Sequence, residues 1–240
     1  MKRTKGSIIK RILLFVALIG IPWTALVVLS KGKQKFHKLR YWGPMVPIII
    51  DGVETGDSSY YKVCNQTFEY TDGTIGDFSD FEDKIIVYFV AGESCPNNCG
   101  VGIDKFIDVA YEKEIKGTNR YKDLVILTEV VDYENSDVGN PSILQNRYKE
   151  KIDSSQWKFI KVDEPCLFDF VPSPNGPNMQ RETSTKVVGG KIYYSNALLI
   201  DKNRHVRHVD NFSFSEVNLM NFVESLKTLK REETLEKTGR

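Results

Sequence analysis

A single stretch, Lys84 to Tyr111, reads KIIVYFV-AGESCPNNC-GVGIDKFIDVAY. Its first part, Ile85 to Val90, is an unbroken apolar run rich in β-branched and aromatic residues, which is typical of a strand buried on both faces of a sheet. After Cys99 the apolar residues recur at helical spacing, which predicts a helix with one buried stripe. The stripe consists of Ile103, Phe106, Ile107, Ala110 and Tyr111. Two cysteines therefore lie where a predicted central strand passes into a helix.

The position of Cys95 and Cys99 predicts reactive thiols. Unpaired N–H groups and the positive end of the helix dipole favour a thiolate near a helix N-terminus. A spacing of four residues is expected to place both sulfur atoms on one side of the first turn. Such a pair can form a reversible disulfide or hold a soft metal such as Cu(I). The alternative interpretation is an inert disulfide, or two cysteines that only fill space.

The composition of the 240-residue chain excludes some functions. A formal net charge of +1 argues against a nucleic-acid-binding surface. A hydrophobic fraction of 41% is enough for one sizeable core, and the length allows one or two domains. The sequence contains no phosphate loop, Rossmann glycine set, zinc-helix motif or nucleophile elbow.

The strongest shift in composition is the charge-free segment Ile12 to Ser30. As a helix it would span roughly 28 Å, close to the hydrocarbon thickness of a bilayer. We predict an uncleaved transmembrane anchor, with a cleaved signal peptide as the alternative. Basic residues flank both ends of the segment, so its orientation is inferred from the paired cysteines, which suit an oxidising compartment.

The segment after the anchor is predicted to be a tether, because it is basic at first and then rich in proline and glycine. Within it, Tyr41-Trp42 is interpreted as an anchor at the membrane interface. The predicted boundaries are 1–11 for a short basic segment, 12–30 for the anchor, 31–60 for the tether, 61–230 for one folded domain and 231–240 for a charged tail.

Within the domain, the patterns predict a β-hairpin, a β-α-β-α-β unit, a long loop, a second hairpin and a final helix. The first hairpin turns at Asp72-Gly73, a dipeptide suited to positive φ. Asn140-Pro141 supplies an N-cap and a first-turn proline for the second helix. A strand is expected near a sheet edge at residues 157–162, and another at residues 192–200. The loop is predicted over Pro165 to Gly190.

This order predicts an α/β fold, a thioredoxin-like three-layer sandwich with an extra N-terminal β-hairpin, preceded by one transmembrane helix. Two further cysteines lie at its loops. Cys64 precedes the first hairpin and Cys166 opens the long loop. They either form a disulfide that joins the loop to the hairpin, which would contribute about 2–4 kcal/mol, or remain two unpaired thiols.

Over roughly Tyr60 to Leu229 the chain resembles the Sco/SenC family of membrane-anchored, thioredoxin-fold copper proteins that assist the assembly of cytochrome c oxidase. The four-residue cysteine spacing is fairly specific, because ordinary thioredoxins use a shorter C-x-x-C. The predicted N-terminal anchor also fits the family. The matching segments are Phe68-Glu69-Tyr70-Thr71-Asp72-Gly73, Ile85 to Val90, Cys95-Pro96-Asn97-Asn98-Cys99, Val125 to Asp132 and Ala197 to Asp201.

The resemblance implies a role for the cysteine pair. In the family two cysteines and one later histidine bind copper, and Cys95 and Cys99 match the cysteines. Residues 193–195, Tyr-Tyr-Ser, stand where the family histidine is expected. Gly100 stands where the family has a proline after its second cysteine. The chain therefore resembles a divergent member that lacks the family histidine.

The chain has three histidines that are candidates for the missing ligand, His37, His205 and His208. His37 lies in the predicted tether. The other two lie on the predicted last strand, where their odd separation is expected to place them on opposite faces. We interpret both as solvated side chains. Two thiolates alone can hold Cu(I), but they would lack a ligand that the family uses to hold Cu(II) as well.

The leading hypothesis is a membrane-anchored Sco/SenC-like protein that acts in respiratory oxidase assembly. Cys95 would attack and Cys99 would resolve in thiol–disulfide exchange, or the pair would carry copper. The expected location is the cytoplasmic (inner) membrane, with one span and the domain in the periplasm. Expected partners are the membrane, an oxidase subunit or a thioredoxin-like reductant, and no nucleic acid. The alternatives are a metal-free thiol–disulfide reductase or redox sensor, and a non-catalytic tethered module that binds an oxidase subunit.

Overall fold

The computed structural model of the chain describes residues 14–16, 18–24, 38–50, 52–94, 102–132, 137–163, 185–188, 191–194, 197–210 and 216–238. The chain divides into two compact units, Met1–His37 and Lys38–Arg240. In the first unit, residues 14–16 and 18–24 are helical. No helix among the described residues is long and apolar enough to cross a membrane. Much of the predicted anchor, residues 12–30, lies outside the described residues.

The second unit contains a central mixed sheet. The strands are β1 Met45–Ile50, β2 Val53–Tyr60, β3 Thr67–Tyr70, β4 Ile75–Asp77, β5 Ile85–Gly92, β6 Leu124–Asp132, β7 Asp137–Val138, β8 Trp157–Lys161, β9 Thr185–Val188, β10 Lys191–Tyr194, β11 Ala197–Ile200 and β12 Val206–Asp210. The central sheet has the order β12-β11-β5-β6-β8-β3-β4, with β7 paired to β6. β1 pairs with β2, and β9 with β10, in separate two-stranded sheets.

Helices follow two of the central strands, as the sequence predicts. The α-helices are α1 Ile103–Phe106, which continues as a π-helix over Ile107–Ile115, α2 Pro141–Tyr148 and α3 Glu216–Thr238. Short 3-10 helices lie at Phe78–Phe81 and Asn119–Tyr121. All five residues of the predicted stripe between Ile103 and Tyr111 are buried. The side chain of Asn140 caps α2 by accepting a hydrogen bond from the Ser142 N–H, and Pro141 lies in the first turn. Both helix predictions are therefore confirmed.

The sheet separates two hydrophobic cores. The three helices pack on one face, with residues such as Phe106, Leu144 and Phe222 in the first core. The second core, which includes Trp42 and Phe68, is covered by segments without such helices. The connections β5-α1-β6 and β6-α2-β8 step along the sheet in the same direction, so right-handed crossovers place both helices on one face. The mixed α/β architecture is observed, while the described residues form no helical third layer.

The parallel register gives the sheet two distinct ends. β5 pairs with β6 from Ile85 opposite Leu124 to Gly92 opposite Val131. We call the end of the sheet at Gly92 and Asp132 the cysteine end, because β5 leads there into the segment that contains Cys95 and Cys99. We call the opposite end, where β5 starts, the entry end. Both central strands are buried along their whole length between these ends.

Several elements differ from the prediction. β8 lies between β6 and β3 rather than near an edge. β9 lies inside the segment predicted as a loop, and residues 192–200 belong to two strands, β10 and β11. α3 continues to Thr238, through most of the predicted tail, because Glu232 is buried against the domain and Glu233 pairs with Lys202.

The range predicted as a tether also contains regular structure. β1 and β2 form a hairpin that turns at Gly52, with φ 81°. The N–H of Trp42 donates to the carbonyl of Val206 at 2.9 Å, and its side chain lies in the second core with 3% exposure. Tyr41 stacks on Tyr60, with ring centroids 3.8 Å apart. The interpretation of Tyr41-Trp42 as a membrane-interface anchor is therefore wrong, because both rings pack within the domain.

Candidate functional site

The site predicted at Cys95 and Cys99 falls outside the described residues, as do Cys166 and His37. The cysteine end is therefore defined by its described neighbours. β5 ends at Gly92, and the N–H of Glu93 donates to the carbonyl of Val131 on the adjacent strand at 3.0 Å. Glu93, two residues before Cys95, is thus fixed to the central sheet.

Helix α1 begins where the predicted apolar stripe begins. Its N-cap is Gly102 and its first helical residue is Ile103. Cys95 and Cys99 precede this helix in the sequence and lie outside the described residues, so the prediction that both sulfur atoms lie on one side of its first turn stays a prediction.

The two loops at the cysteine end are joined by a direct contact. The N–H of Asn140, the N-cap of α2, donates to the Glu93 carboxylate at 2.6 Å. Next to it, Gly139 approaches the backbone of Val130 and Val131 so closely that an added Cβ would lie 2.8 Å from it. The chain that leads into the cysteine segment is therefore held against the start of α2.

A buried carboxylate lies one strand away from β5. Glu129 on β6 is 1% exposed, and the Tyr88 hydroxyl donates a hydrogen bond to its Oε2. The register places Glu129 opposite Val90, two residues before Gly92. Neither Tyr88 nor Glu129 was predicted as part of a site, although a single acid inside an apolar strand was the available signal. A buried acid of this kind must be hydrogen-bonded to be tolerated, and Tyr88 supplies one such bond.

His205 lies at the entry end of the sheet. Its Nδ1 lies 3.5 Å from the Asp201 carboxylate, and its ring meets the edge of Tyr41 at 5.2 Å between centroids. The next residue, Val206 on β12, pairs with Ile200 on β11, and Ile200 pairs with Ile86 on β5. Val206 is therefore level with Ile86. Six strand residues separate Ile86 from the end of β5, a distance of about 20 Å.

His208 lies on the helical face of the sheet. Its ring packs against Phe222 at 5.6 Å between centroids, and its ring nitrogens lie 3.2 Å from the Ser225 hydroxyl and 3.4 Å from the Asp210 carboxylate. The register places it level with Val87, about 16 Å along β5 from Gly92. Both described histidines are mostly buried, so their interpretation as solvated side chains is wrong.

The described residues do not complete a metal site. Among them, no group of three His, Cys, Asp or Glu side chains could hold a metal ion. Neither described histidine reaches the cysteine end, and the remaining one, His37, lies outside the described residues.

Cys64 is disulfide-bonded. It is the one cysteine within the described part of the chain, and its partner is one of Cys95, Cys99 and Cys166. The alternative that Cys64 is an unpaired thiol is therefore wrong. Which partner it uses decides whether the two cysteines at the end of β5 are available to each other.

No family model and no curated protein matches the chain. Similar solved structures include BsSco, a member of the Sco family of cytochrome c oxidase assembly proteins, with 16% identity, a TM-score of 0.47, and coverage of 71% of this chain and 94% of that chain. ScoI of Arabidopsis thaliana with copper bound has 13% identity, a TM-score of 0.45, and coverage of 72% and 99%. ScoI of Bradyrhizobium japonicum with copper bound has 12% identity, a TM-score of 0.41, and coverage of 71% and 99%. Sco proteins are thus among the solved structures that this chain resembles, as its motifs predict.

Proposed function

We propose that this protein is a membrane-anchored, Sco/SenC-like thiol–disulfide exchange protein that acts in the assembly of a respiratory oxidase. Its reactive pair is Cys95 and Cys99. One observation carries the proposal: β5, which is buried along its whole length, ends immediately before the pair, and α1 follows. Loops after the carboxyl ends of parallel strands are where α/β proteins place reactive groups. The oxidase, the anchor and the periplasmic location rest on the sequence resemblance and on the charge-free segment 12–30.

Thiol–disulfide exchange needs only the two cysteines and a disulfide of the partner protein. The thiolate of Cys95 attacks one sulfur of a partner disulfide, forms a mixed disulfide, and releases a partner thiolate that takes up a proton. The thiolate of Cys99 then attacks the sulfur of Cys95, which closes the internal disulfide and releases the second partner thiol. Two electrons pass from the pair to the partner, and a thioredoxin-like reductant returns them by the reverse exchange.

This chemistry requires the disulfide of Cys64 to use Cys166. Of the three candidate partners, Cys166 is the one that leaves both Cys95 and Cys99 available to each other. We therefore assign the disulfide to Cys64 and Cys166, which leaves the reactive pair intact.

We treat copper as a metal that the protein carries to a partner, and not as a resident cofactor. Two thiolates suit Cu(I), and the ScoI structures of Arabidopsis and Bradyrhizobium contain copper. Because His205 and His208 lie away from the cysteine end, we expect Cu(I) to be bound without either of them. The position of these histidines also favours a second candidate function, metal-free thiol–disulfide exchange.

Redox titration and Cu(I) titration of the full-length protein test the proposal. The protein is equilibrated in glutathione buffers, and free thiols are counted after alkylation. We expect a reversible two-electron couple that disappears in Cys95→Ser/Cys99→Ser and persists in the matched variant Cys64→Ser/Cys166→Ser. Competition with a chromophoric chelator should show one Cu(I) per reduced chain, lost in Cys95→Ser.

Three outcomes separate the possibilities. An unchanged redox couple in Cys95→Ser/Cys99→Ser would refute the exchange function. Stoichiometric Cu(I) binding that is unaffected by Cys95→Ser would refute the proposed copper ligands. An intact couple with no Cu(I) binding would favour the metal-free exchange protein.

A further inference from the structure

A cavity of about 490 Å³ lies at the edge of the central sheet, beside β12. Three elements form its walls: the segment before β1, through Leu39 and Trp42, the strand β12, through Arg207 and Asp210, and the first turns of α3, through Asn221. Cavities of this volume hold small organic molecules. The cavity is separate from the segment that contains the proposed reactive cysteines.

The indole of Trp42 has no hydrogen-bond acceptor among the described residues. Trp42 is 3% exposed and lines the cavity. Trp157 is also buried and shows the usual arrangement, because its indole Nε1–H donates to the Thr128 hydroxyl at 2.8 Å. Buried donors are almost always paired, so the indole of Trp42 indicates that an acceptor from a ligand or from water occupies this cavity.

A second buried donor, the Nε–H of Arg207, also has no acceptor among the described residues. Arg207 is 5% exposed and lines the same cavity. Its other two nitrogens are satisfied within the domain, since Nη1 donates to Asp201 at 3.1 Å and Nη2 donates to Glu232 at 2.6 Å. Those carboxylates offset the charge of the guanidinium. The Nε–H therefore offers the cavity a fixed donor but little net charge.

A positive charge comes from Arg40, at the exposed rim of the cavity. Its guanidinium lies over the Trp42 ring, 3.5 Å from the ring centroid. Asp210 is the single acid among the described wall residues, and its carboxylate lies 3.4 Å from the Nε2 of His208. The cavity thus combines one cation with two buried donors, an arrangement that suits an anionic oxygen.

The acids around the cavity limit the charge of such an anion. Asp210 lies in the wall, and Asp201 and Glu232 both contact Arg207. A dianion such as phosphate would be repelled by these three carboxylates, with Arg40 as the one cation that they do not already offset. A carboxylate carries a single charge and has two coplanar oxygens, which match the fork of a guanidinium.

We propose that this cavity binds a small carboxylate. Its oxygens accept hydrogen bonds from the indole of Trp42 and the Nε–H of Arg207, and its charge pairs with Arg40. Binding would satisfy both unpaired donors at once. The inference does not depend on the function proposed for Cys95 and Cys99.

The indole proton of Trp42 reports occupancy of the cavity directly. In ¹⁵N-labelled full-length protein in neutral detergent, each of the three tryptophans gives one indole signal, and Trp23→Phe and Trp42→Phe assign them. Sodium butyrate is titrated at constant ionic strength. We expect the Trp42 proton signal to move downfield and saturate, because a charged acceptor then bonds it. The Trp157 signal should stay in place, because its proton is already bonded to Thr128.

Arg40→Gln tests the cation without disturbing the core, because Arg40 is exposed. It should weaken butyrate binding by about tenfold or more. Arg120→Gln is the matched control, since Arg120 is also exposed and lies over a ring, that of Tyr121. It should leave the affinity unchanged within about twofold. Butyramide, which has nearly the same size but no charge, should bind about tenfold more weakly or worse.

Three results would overturn the inference. A Trp42 signal that does not move with butyrate would show that water satisfies the two donors. Equal affinity for butyramide would show that the cavity takes a neutral acceptor. Tighter binding of inorganic phosphate than of butyrate would show that the surrounding acids do not select a singly charged ligand.

Discussion

The two ends of the central sheet are held by different interactions. At the entry end, the buried guanidinium of Arg207 contacts Asp201 at 3.1 Å and Glu232 at 2.6 Å. At the cysteine end, the described loops are held by backbone hydrogen bonds to β6 and by a hydrogen bond from the Asn140 N–H to Glu93 at 2.6 Å. Buried charge pairs are rigid because each partner is strongly destabilised when it is left alone. The entry end thus holds Leu39, at the start of the domain, to β12 and α3. The proposed reactive cysteines follow the opposite end of the sheet.

Removal of Arg207 should have the largest effect on stability. Arg207→Leu leaves the carboxylates of Asp201 and Glu232 without their shared partner. We expect the free energy of unfolding in urea to fall by about 3–5 kcal/mol. Arg231→Leu, at an exposed position on the same helix, should change it by less than about 0.5 kcal/mol. Equal effects of the two variants would show that the entry end is not held by the ion network.

Loss of the Cys64 disulfide should have the next largest effect. Cys64→Ala should lower the free energy of unfolding by about 2–4 kcal/mol under oxidising conditions, because the unfolded chain regains entropy. Cys166→Ala should cost the same amount, and the double variant no more than either single variant. A Cys64→Ala/Cys95→Ala double variant that is no less stable than either single variant would instead show that Cys64 pairs with Cys95.

Acid should weaken the entry end through Asp123. Lys202 and Lys230 each lie 2.5 Å from its carboxylate. Burial alone would raise the pKa of Asp123, but hydrogen bonds from the two lysines outweigh burial and hold that pKa at about 2. As the pH falls, the Asp123 carboxylate is protonated in the unfolded chain before it is protonated in the folded protein. Its stabilisation of the fold is therefore present at neutral pH and is lost as the pH falls from about 5 towards 2.

The test is Asp123→Asn, followed by urea unfolding at several pH values. The variant should be less stable than the wild type by about 1–2 kcal/mol at neutral pH, after allowance for partial exposure of the carboxylate. This difference should shrink as the pH falls. Asp108→Asn, at an exposed position on the π-helical segment, is the control. A difference that stays constant with pH would contradict the assigned role of Asp123.

The smallest effect is expected when the described histidines are replaced. His205→Gln and His208→Gln should each leave the Cu(I) affinity of the reduced protein unchanged within about twofold, because neither side chain lies near the reactive pair. Chelator competition measures this affinity. Weakening by about tenfold or more in either variant would show that a histidine moves to the cysteine end when copper binds.

The central strands and α2 could be predicted because their signals are local. The apolar runs that start at Ile85 and Leu124 form the buried strands β5 and β6. Asn140-Pro141 became the start of α2. The apolar stripe that starts at Ile103 likewise predicted the start of α1.

The entry end could not be predicted in the same way. Leu39 and Glu232 are far from Arg207 in the sequence, and no local pattern links a charged side chain to a partner on another element. The β1–β2 hairpin is a different case. Ile50-Asp51-Gly52-Val53 carries the same Asp-Gly turn signal as the β3–β4 hairpin, but the surrounding prolines and glycines favoured a tether.

The account depends most on the separation of the reactive pair from the Cys64 disulfide. The direct measurement is disulfide mapping of the full-length protein, in which free thiols are alkylated, the unreduced chain is digested, and linked peptides are identified by mass spectrometry. The account predicts a Cys64–Cys166 peptide in both mildly reduced and oxidised samples, and a Cys95–Cys99 peptide in oxidised samples alone. A peptide that links Cys64 to Cys95 or to Cys99 would contradict it.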